Sequence, residues 1–160
     1  MSTTTQNQVL VGQPVPNFSF RDTQDKIQTI DAYRGQRVIL YFYPKDNTPG
    51  CTLESKAFTE HYNEFETLNT VIFGVSKDTL KSHLNFKAKY NMPFELITDS
   101  DKQLCALFDV LKPKSMFGKK YLGIERSTFL IDENGVLIKE WRKVKAIGHV
   151  KAVLAYLKTL

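Results

Sequence analysis

Cysteine is the scarcest reactive residue in this chain. Its 160 residues hold two, Cys51 and Cys105, far apart. Two distant cysteines do not make a disulfide framework, so a stapled secreted scaffold is excluded and a reducing cytoplasm is the expected compartment. Long hydrophobic runs are missing too. The longest, VILYFY, ends at Tyr43 and is far too short to cross a bilayer as a helix, so no membrane partner is expected. The opening MSTTTQNQ is polar, has no basic run and leads into no apolar core, so it does not read as a secretory leader. Residues 1–9 read as a flexible tail. The three histidines, His61, His83 and His149, lack ligand spacing, so no metal is expected. No glycine-rich phosphate loop precedes a helix, and no cofactor is called for. The net charge of +5 comes from scattered basic residues without a groove-reading motif, which argues against a nucleic-acid partner. There is no repeat, low-complexity tract or linker.

What is present is a packable chain. Hydrophobic residues make up 42% and aromatics 12%, enough for one domain over residues 10–160. NFSF and KIQTI alternate around the polar turn RDTQD and predict a hairpin. DAYRGQ predicts one helical turn, capped by Asp31 and stopped by Gly35. RVILYFY is a β-branched and aromatic run, the pattern of a strand buried on both faces. After it, Leu53, Ala57, Phe58, Tyr62, Phe65 and Leu68 recur at helical spacing and predict one long amphipathic helix beginning near Cys51. TVIFGVS predicts a second buried strand. DTLKSHLNFKAKY predicts a helix with Leu80, Leu84 and Ala88 on one face, and FELIT a short strand. DSDKQLCALF predicts a short helix opened by capping aspartates. KPKSMFGKKYLG, punctuated by Pro and Gly, reads as a loop. Its four lysines between Lys112 and Lys120 form a solvated surface or a docking face for an acidic reductase. RSTFLID and VLIKEWRK, joined by ENG, predict a hairpin. The closing helix turns Val150, Val153, Leu154 and Leu157 inward. This order predicts an α/β domain: a mixed central sheet flanked by helices, thioredoxin-like, with an N-terminal β-hairpin extension.

The chemistry gathers at YFYPKDNTPGCTLE. The strand ends at Pro44, and a loop then delivers Cys51 into the first turn of a helix. In open α/β sheets, sites lie just beyond the carboxyl ends of strands. A helix N-terminus supplies unpaired N–H groups and partial positive charge, which favour thiolate over thiol. The alternative, an inert gap-filling cysteine, fits poorly with a polar Thr-Pro-Gly approach. TPGC has the Cys-x-x-Cys spacing with Thr48 in the first place, which excludes local dithiol exchange. A thiolate beside a hydroxyl suits attack on a peroxide oxygen, helped by a fixed cation. Arg126, opening RSTFLID, is the candidate cation; an ordinary strand-edge charge is its other reading.

These residues resemble the peroxiredoxin motif Pro-x-x-x-Thr-x-x-Cys, here Pro44, Thr48 and Cys51. With VGQPVPNFSF, GVSKD, LITDSDKQLCALFDV and GIERSTFLIDENG, nearly the whole chain is similar to the bacterioferritin comigratory protein, or peroxiredoxin Q, branch. The resemblance implies thiol-dependent reduction of hydrogen peroxide and organic hydroperoxides. It implies that Cys51 is the peroxidatic cysteine, oxidised to sulfenic acid, and that Thr48 binds peroxide oxygen. Pro44 would shield the site from water, Arg126 would be the active-site arginine, and Glu54 would orient it. Glu54 is also a first-turn carboxylate that the helix dipole favours.

One departure matters. Many members of that branch carry a resolving cysteine five positions after the peroxidatic one, where this chain has Lys56. Cys105 is the other thiol, among Leu104, Leu107 and Phe108. Its apolar neighbours favour a structural role, and a resolving role would require local unfolding. A structural Cys105 implies a one-cysteine cycle, with thioredoxin, glutaredoxin or a small thiol as reductant. The resemblance further implies a monomer. A redox sensor and a non-catalytic thioredoxin-like binding module are the alternative functions.

Overall fold

The run RVILYFY becomes strand β3, Arg37–Phe42, at the heart of a seven-stranded sheet. Its neighbour β4, Thr70–Ser76, lies parallel, and β5, Glu95–Thr98, lies parallel to β4. On the other side β8, Ser127–Ile131, runs antiparallel to β3 and pairs with β9, Leu137–Trp141. The N-terminal hairpin, β1 (Ser19–Asp22) with β2 (Ile27–Thr29), joins the far edge antiparallel to β5. The order is therefore β2-β1-β5-β4-β3-β8-β9, the expected mixed sheet with its hairpin extension. The computed structural model describes residues 8–160. The expected tail lies outside them apart from Gln8 and Val9, and Val9 is buried with its N–H donating to Leu107 O at 3.2 Å.

Strand pleating sorts the core into two layers. Val38, Leu40 and Phe42 join Phe18, Phe73, Phe108 and Phe129 on one face. Ile39, Tyr41 and Tyr43 join Phe58, Phe65, Phe86 and Val153 on the other. That second layer is covered by α1 (Pro49–Glu60), α2 (Tyr62–Thr67), α3 (Leu80–Tyr90) and α5 (His149–Leu157). Each fully buried Phe contributes about 1.5–3 kcal/mol. Tyr41 stacks on Phe58 at 4.5 Å between centroids. Gly74 makes room for that ring, because a Cβ there would lie 2.7 Å from Tyr41 Cζ.

Four local expectations need correction. The single long helix is two, α1 and α2, broken at His61; Leu53, assigned to its apolar face, is 45% exposed. In α3 the buried residues are His83 and Phe86, while Leu84 is 45% exposed and Ala88 is exposed. The helix is rotated because His83 finds polar partners inside. The turn at DAYRGQ is a 3-10 helix, Ile30–Tyr33, with Thr29 at its N-cap, so Asp31 sits within it and does not cap it. The Pro/Gly-punctuated loop is a hairpin of its own, β6 (Leu111–Met116) with β7 (Lys119–Ile124). Its turn places Phe117 and Gly118 both at positive φ, 52° and 80°, the two-residue geometry that matches strand twist. The short helix α4, Gln103–Leu107, does start on aspartate: Asp99 accepts from the N–H groups of Leu104 and Cys105.

Candidate active site

Helix α1 begins where the chain leaves β3. Thr48 is its N-cap by backbone (φ −85°, ψ 155°), and Pro49 fits the first turn because its fixed φ is already helical. The first helical hydrogen bond runs from Thr52 N–H to Thr48 O at 2.8 Å, so the N–H groups of Gly50 and Cys51 precede the intrahelical ladder. The Thr48 hydroxyl does not cap the helix. It donates to Lys45 O at 2.8 Å, which leaves its oxygen lone pairs free to accept. Pro44 is half-buried at the start of this loop, and Cys51 is fully buried.

Arg126 arrives from β8. Pairing of Ser127 with Phe42 sets the residue before β8 beside the end of β3, where the loop to Cys51 departs. One guanidinium then spans two partners. Its Nη1 donates to Glu54 Oε1 at 2.7 Å, and its Nη2 donates to Cys51 Sγ at 3.4 Å. Gly50 permits this approach, since a Cβ there would stand 2.9 Å from Nη2. Burial works against the charge on Arg126, but Glu54 and Cys51 outweigh it and its pKa is raised. Of the residues named from the sequence, Cys51, Glu54 and Arg126 thus come together directly, while Thr48 is the backbone N-cap of the helix that carries Cys51 and Pro44 opens the loop leading to it.

Behind them lies a layer the sequence did not disclose. Glu54 is wholly buried, and burial pushes its pKa up to about 7 against the pull of Arg126. Its Oε2 has no hydrogen-bond partner among the described residues; His149 Nε2 stands 3.9 Å away and pairs with Thr128 Oγ1 at 2.7 Å. Burial, then the charge of Arg126, pushes His149 down to about 4, so the imidazole is neutral. Below the site, Tyr41 and Ser55 share a hydrogen bond at 2.9 Å, and burial holds the Tyr41 phenol well above its usual range.

The loop between β3 and Cys51 is anchored by Asp46. This buried carboxylate accepts from Tyr43 OH at 2.6 Å, from Ser82 Oγ at 2.8 Å and from His83 Nδ1 at 2.8 Å. His83 Nε2 donates to Ile97 O at 3.0 Å. Asp78 accepts from the Asp46 N–H at 2.9 Å and from Ser76 Oγ at 2.6 Å. Asp46, Asp78 and His83 thereby bring potential ligand atoms within 4.8 Å of one another, but internal hydrogen bonds already engage each of them. The available signal was periodic: His83, Phe86 and Tyr90 share a helix face, and an inward His needs inward partners.

Cys105 lies elsewhere. It packs in α4 against the opposite face of the sheet from Cys51, fully buried, and burial first, then Asp99, pushes its thiol up.

The sheet order, the flanking helices and a thiol at the first turn after β3 define a thioredoxin-like thiol enzyme. Residues 11–140 match the AhpC/TSA family. The chain is 47% identical to a putative peroxiredoxin Bcp of Coxiella burnetii over 92% of its own length and 97% of the relative's. It is 47% identical to peroxiredoxin Bcp of Bacillus subtilis, covering 94% and 96%. Among solved structures, the Xanthomonas campestris bacterioferritin comigratory protein, studied for its alkyl peroxide reduction activity, aligns at TM-score 0.85 and 46% identity, covering 89% of this chain and 90% of that one. Peroxiredoxin Q of Xylella fastidiosa aligns at 0.90 and 40%, covering 95% and 97%. The chain belongs to the AhpC/TSA family, in its bacterioferritin comigratory protein and peroxiredoxin Q branch. It is a thiol-dependent peroxidase, with a peroxide as substrate and a thiol as reductant. Among the described residues no helix is long and apolar enough to cross a membrane.

Proposed function

We propose that Cys51 is the peroxidatic nucleophile and that this peroxidase runs a one-cysteine cycle. The observation carrying the proposal is the Arg126 fork, with one arm on Cys51 Sγ and the other on buried Glu54. The helix N-terminus and the guanidinium both favour negative charge on sulfur. The thiolate attacks one oxygen of ROOH, an S–O bond forms, the O–O bond breaks, and RO⁻ leaves to take up a proton. Arg126 stabilises the charge moving from sulfur to the leaving oxygen. Thr48, its hydrogen committed to Lys45 O, accepts from the peroxide O–H and orients it. Pro44 keeps bulk water off the loop, and Glu54 holds the arginine in place.

The resulting Cys51–SOH is reduced by an external thiol: thioredoxin, glutaredoxin or a small thiol. Supporting this, Lys56 stands exposed where many relatives carry the resolver, and Cys105 is sealed behind the sheet. We place the enzyme in the cytoplasm as a monomer, with residues 10–160 acting as one domain. Intact mass after one equivalent of peroxide tests the cycle. A gain of one oxygen, captured by dimedone at Cys51 and lost in Cys51→Ser along with turnover, is the expected result. A loss of two hydrogens without dimerisation would mean a Cys51–Cys105 disulfide and refute it.

A further inference from the structure

The hairpin of β6 and β7 stands apart from the main sheet as its own two-stranded ribbon, and its surface is not explained by folding. Phe117 at its tip is 98% exposed and sits at φ 52°. A bulky residue in the left-handed region is strained, and Asn, Asp or Gly is the usual occupant of such a turn. Phe117 therefore carries strain and gains no packing. Around it Met116, Tyr121 and Leu122 are also exposed, at 56%, 45% and 52%. Lys119 and Lys120 follow it, exposed, and neither forms an ion pair among the described residues. Lys112 and Lys114 are engaged within the hairpin's surroundings, on Asp109 and on Ile124 O.

The base of the hairpin abuts the catalytic edge. Glu125, next to Arg126, donates its N–H to Val110 O at 2.7 Å, which closes the ribbon. Lys77, which follows β4, reaches Leu122 O at 3.4 Å. Because β3 and β4 are parallel, the ends of β4 and β3 share one edge of the sheet, and the loop to Cys51 leaves from that edge.

We propose that this hairpin is the docking arm for the protein dithiol that reduces oxidised Cys51, a partner whose reactive thiol is rimmed by carboxylates beside an apolar patch. The proposal rests on the one-cysteine cycle above. Phe117 supplies an aromatic anchor, the residue class that dominates interface energetics, and Lys119 and Lys120 supply charge that speeds encounter. In the step served, the partner's first thiolate attacks Cys51–SOH, an S–S bond forms, and hydroxide leaves to become water. The partner's second thiolate then attacks its own first sulfur, which releases Cys51 as thiolate and leaves the partner as a disulfide.

The test compares peroxide turnover driven by thioredoxin, its reductase and NADPH with turnover driven by dithiothreitol. Phe117→Asn suits the left-handed turn, so its melting point should equal or exceed that of the unaltered chain. Its KM for thioredoxin should rise by about tenfold, the loss of one good contact, while dithiothreitol turnover is unchanged. Lys119→Glu with Lys120→Glu should raise that KM and flatten its dependence on ionic strength. An unchanged KM for thioredoxin in both variants overturns the docking arm. Turnover with dithiothreitol but none with either thioredoxin or glutaredoxin overturns it too and makes a small thiol the reductant. If neither drives turnover, the one-cysteine cycle falls and the docking arm with it.

Discussion

Glu54 and His149 face one another behind Arg126, and their ionisation should pull stability in opposite directions. Glu54 titrates at about 7 in the folded chain, against an ordinary 4.5. Between those values the unfolded chain has released a proton that the folded chain still holds, so stability falls as pH rises. At about 1.4 kcal/mol per pH unit, a gap of roughly 2.5 gives ~3 kcal/mol. His149 titrates at about 4, against 6.5. There the unfolded chain holds the extra proton, so stability falls as pH drops from 6.5 toward 4, again by ~3 kcal/mol. Between pH 4.5 and 6.5 the two slopes offset each other. Glu54→Gln leaves the His149 slope alone, and stability should rise with pH across that window. His149→Gln leaves the Glu54 slope alone, and stability should fall. Across that window the folded chain holds Glu54 protonated, so the isosteric and neutral Gln removes no charge from beside Arg126 there. Urea denaturation at half-unit pH steps reads both tilts. If both variants keep the pH profile of the unaltered chain, neither ionisation is coupled to folding and the burial account is wrong.

Two further substitutions probe the frame around the site. Asp46→Ala strips buried Tyr43 and His83 and half-buried Ser82 of their acceptor and should cost about 3–5 kcal/mol, with faster amide exchange in both the Pro44–Cys51 loop and α3; acceleration in only one of them would show that Asp46 does not join the two. Gly74→Ala drives a Cβ to 2.7 Å from Tyr41 Cζ and 2.8 Å from Leu96 Cδ2. Such overpacking costs about 1–3 kcal/mol, read as a lower urea midpoint, and an unchanged midpoint would mean that β3 and β4 yield.

The centre of the molecule was legible because its residues obey one rule each. RVILYFY could only be a strand covered on both faces, and Pro-Gly before Cys51 could only be the start of a helix. Antiparallel pairing of that strand with RSTFLID puts Arg126 at Cys51, where residue pattern alone left an ordinary strand-edge charge as the other reading. The rest depended on partners remote in sequence. His83 turns inward because Asp46 and Ile97 O await it, and that rotates α3 away from the face its leucines advertise. His149 meets Glu54 only once α5 has docked. The β6–β7 ribbon was invisible for a different reason. Lysines, Pro113 and an exposed Phe117 leave it buried only at its base, at Gly123 and Ile124, and strand patterns are patterns of burial.

The sheet also keeps the two thiols on separate accounts of the chain's state. In the proposed cycle Cys51 answers to peroxide, through the loop beyond β3. Cys105 answers only to the integrity of α4, whose first N–H groups Asp99 holds. A reagent that reaches Cys105 has therefore found an opened molecule, whatever the redox condition of Cys51. Each folded chain carries a catalyst and, on the far side of its own core, a built-in gauge of whether that core is closed.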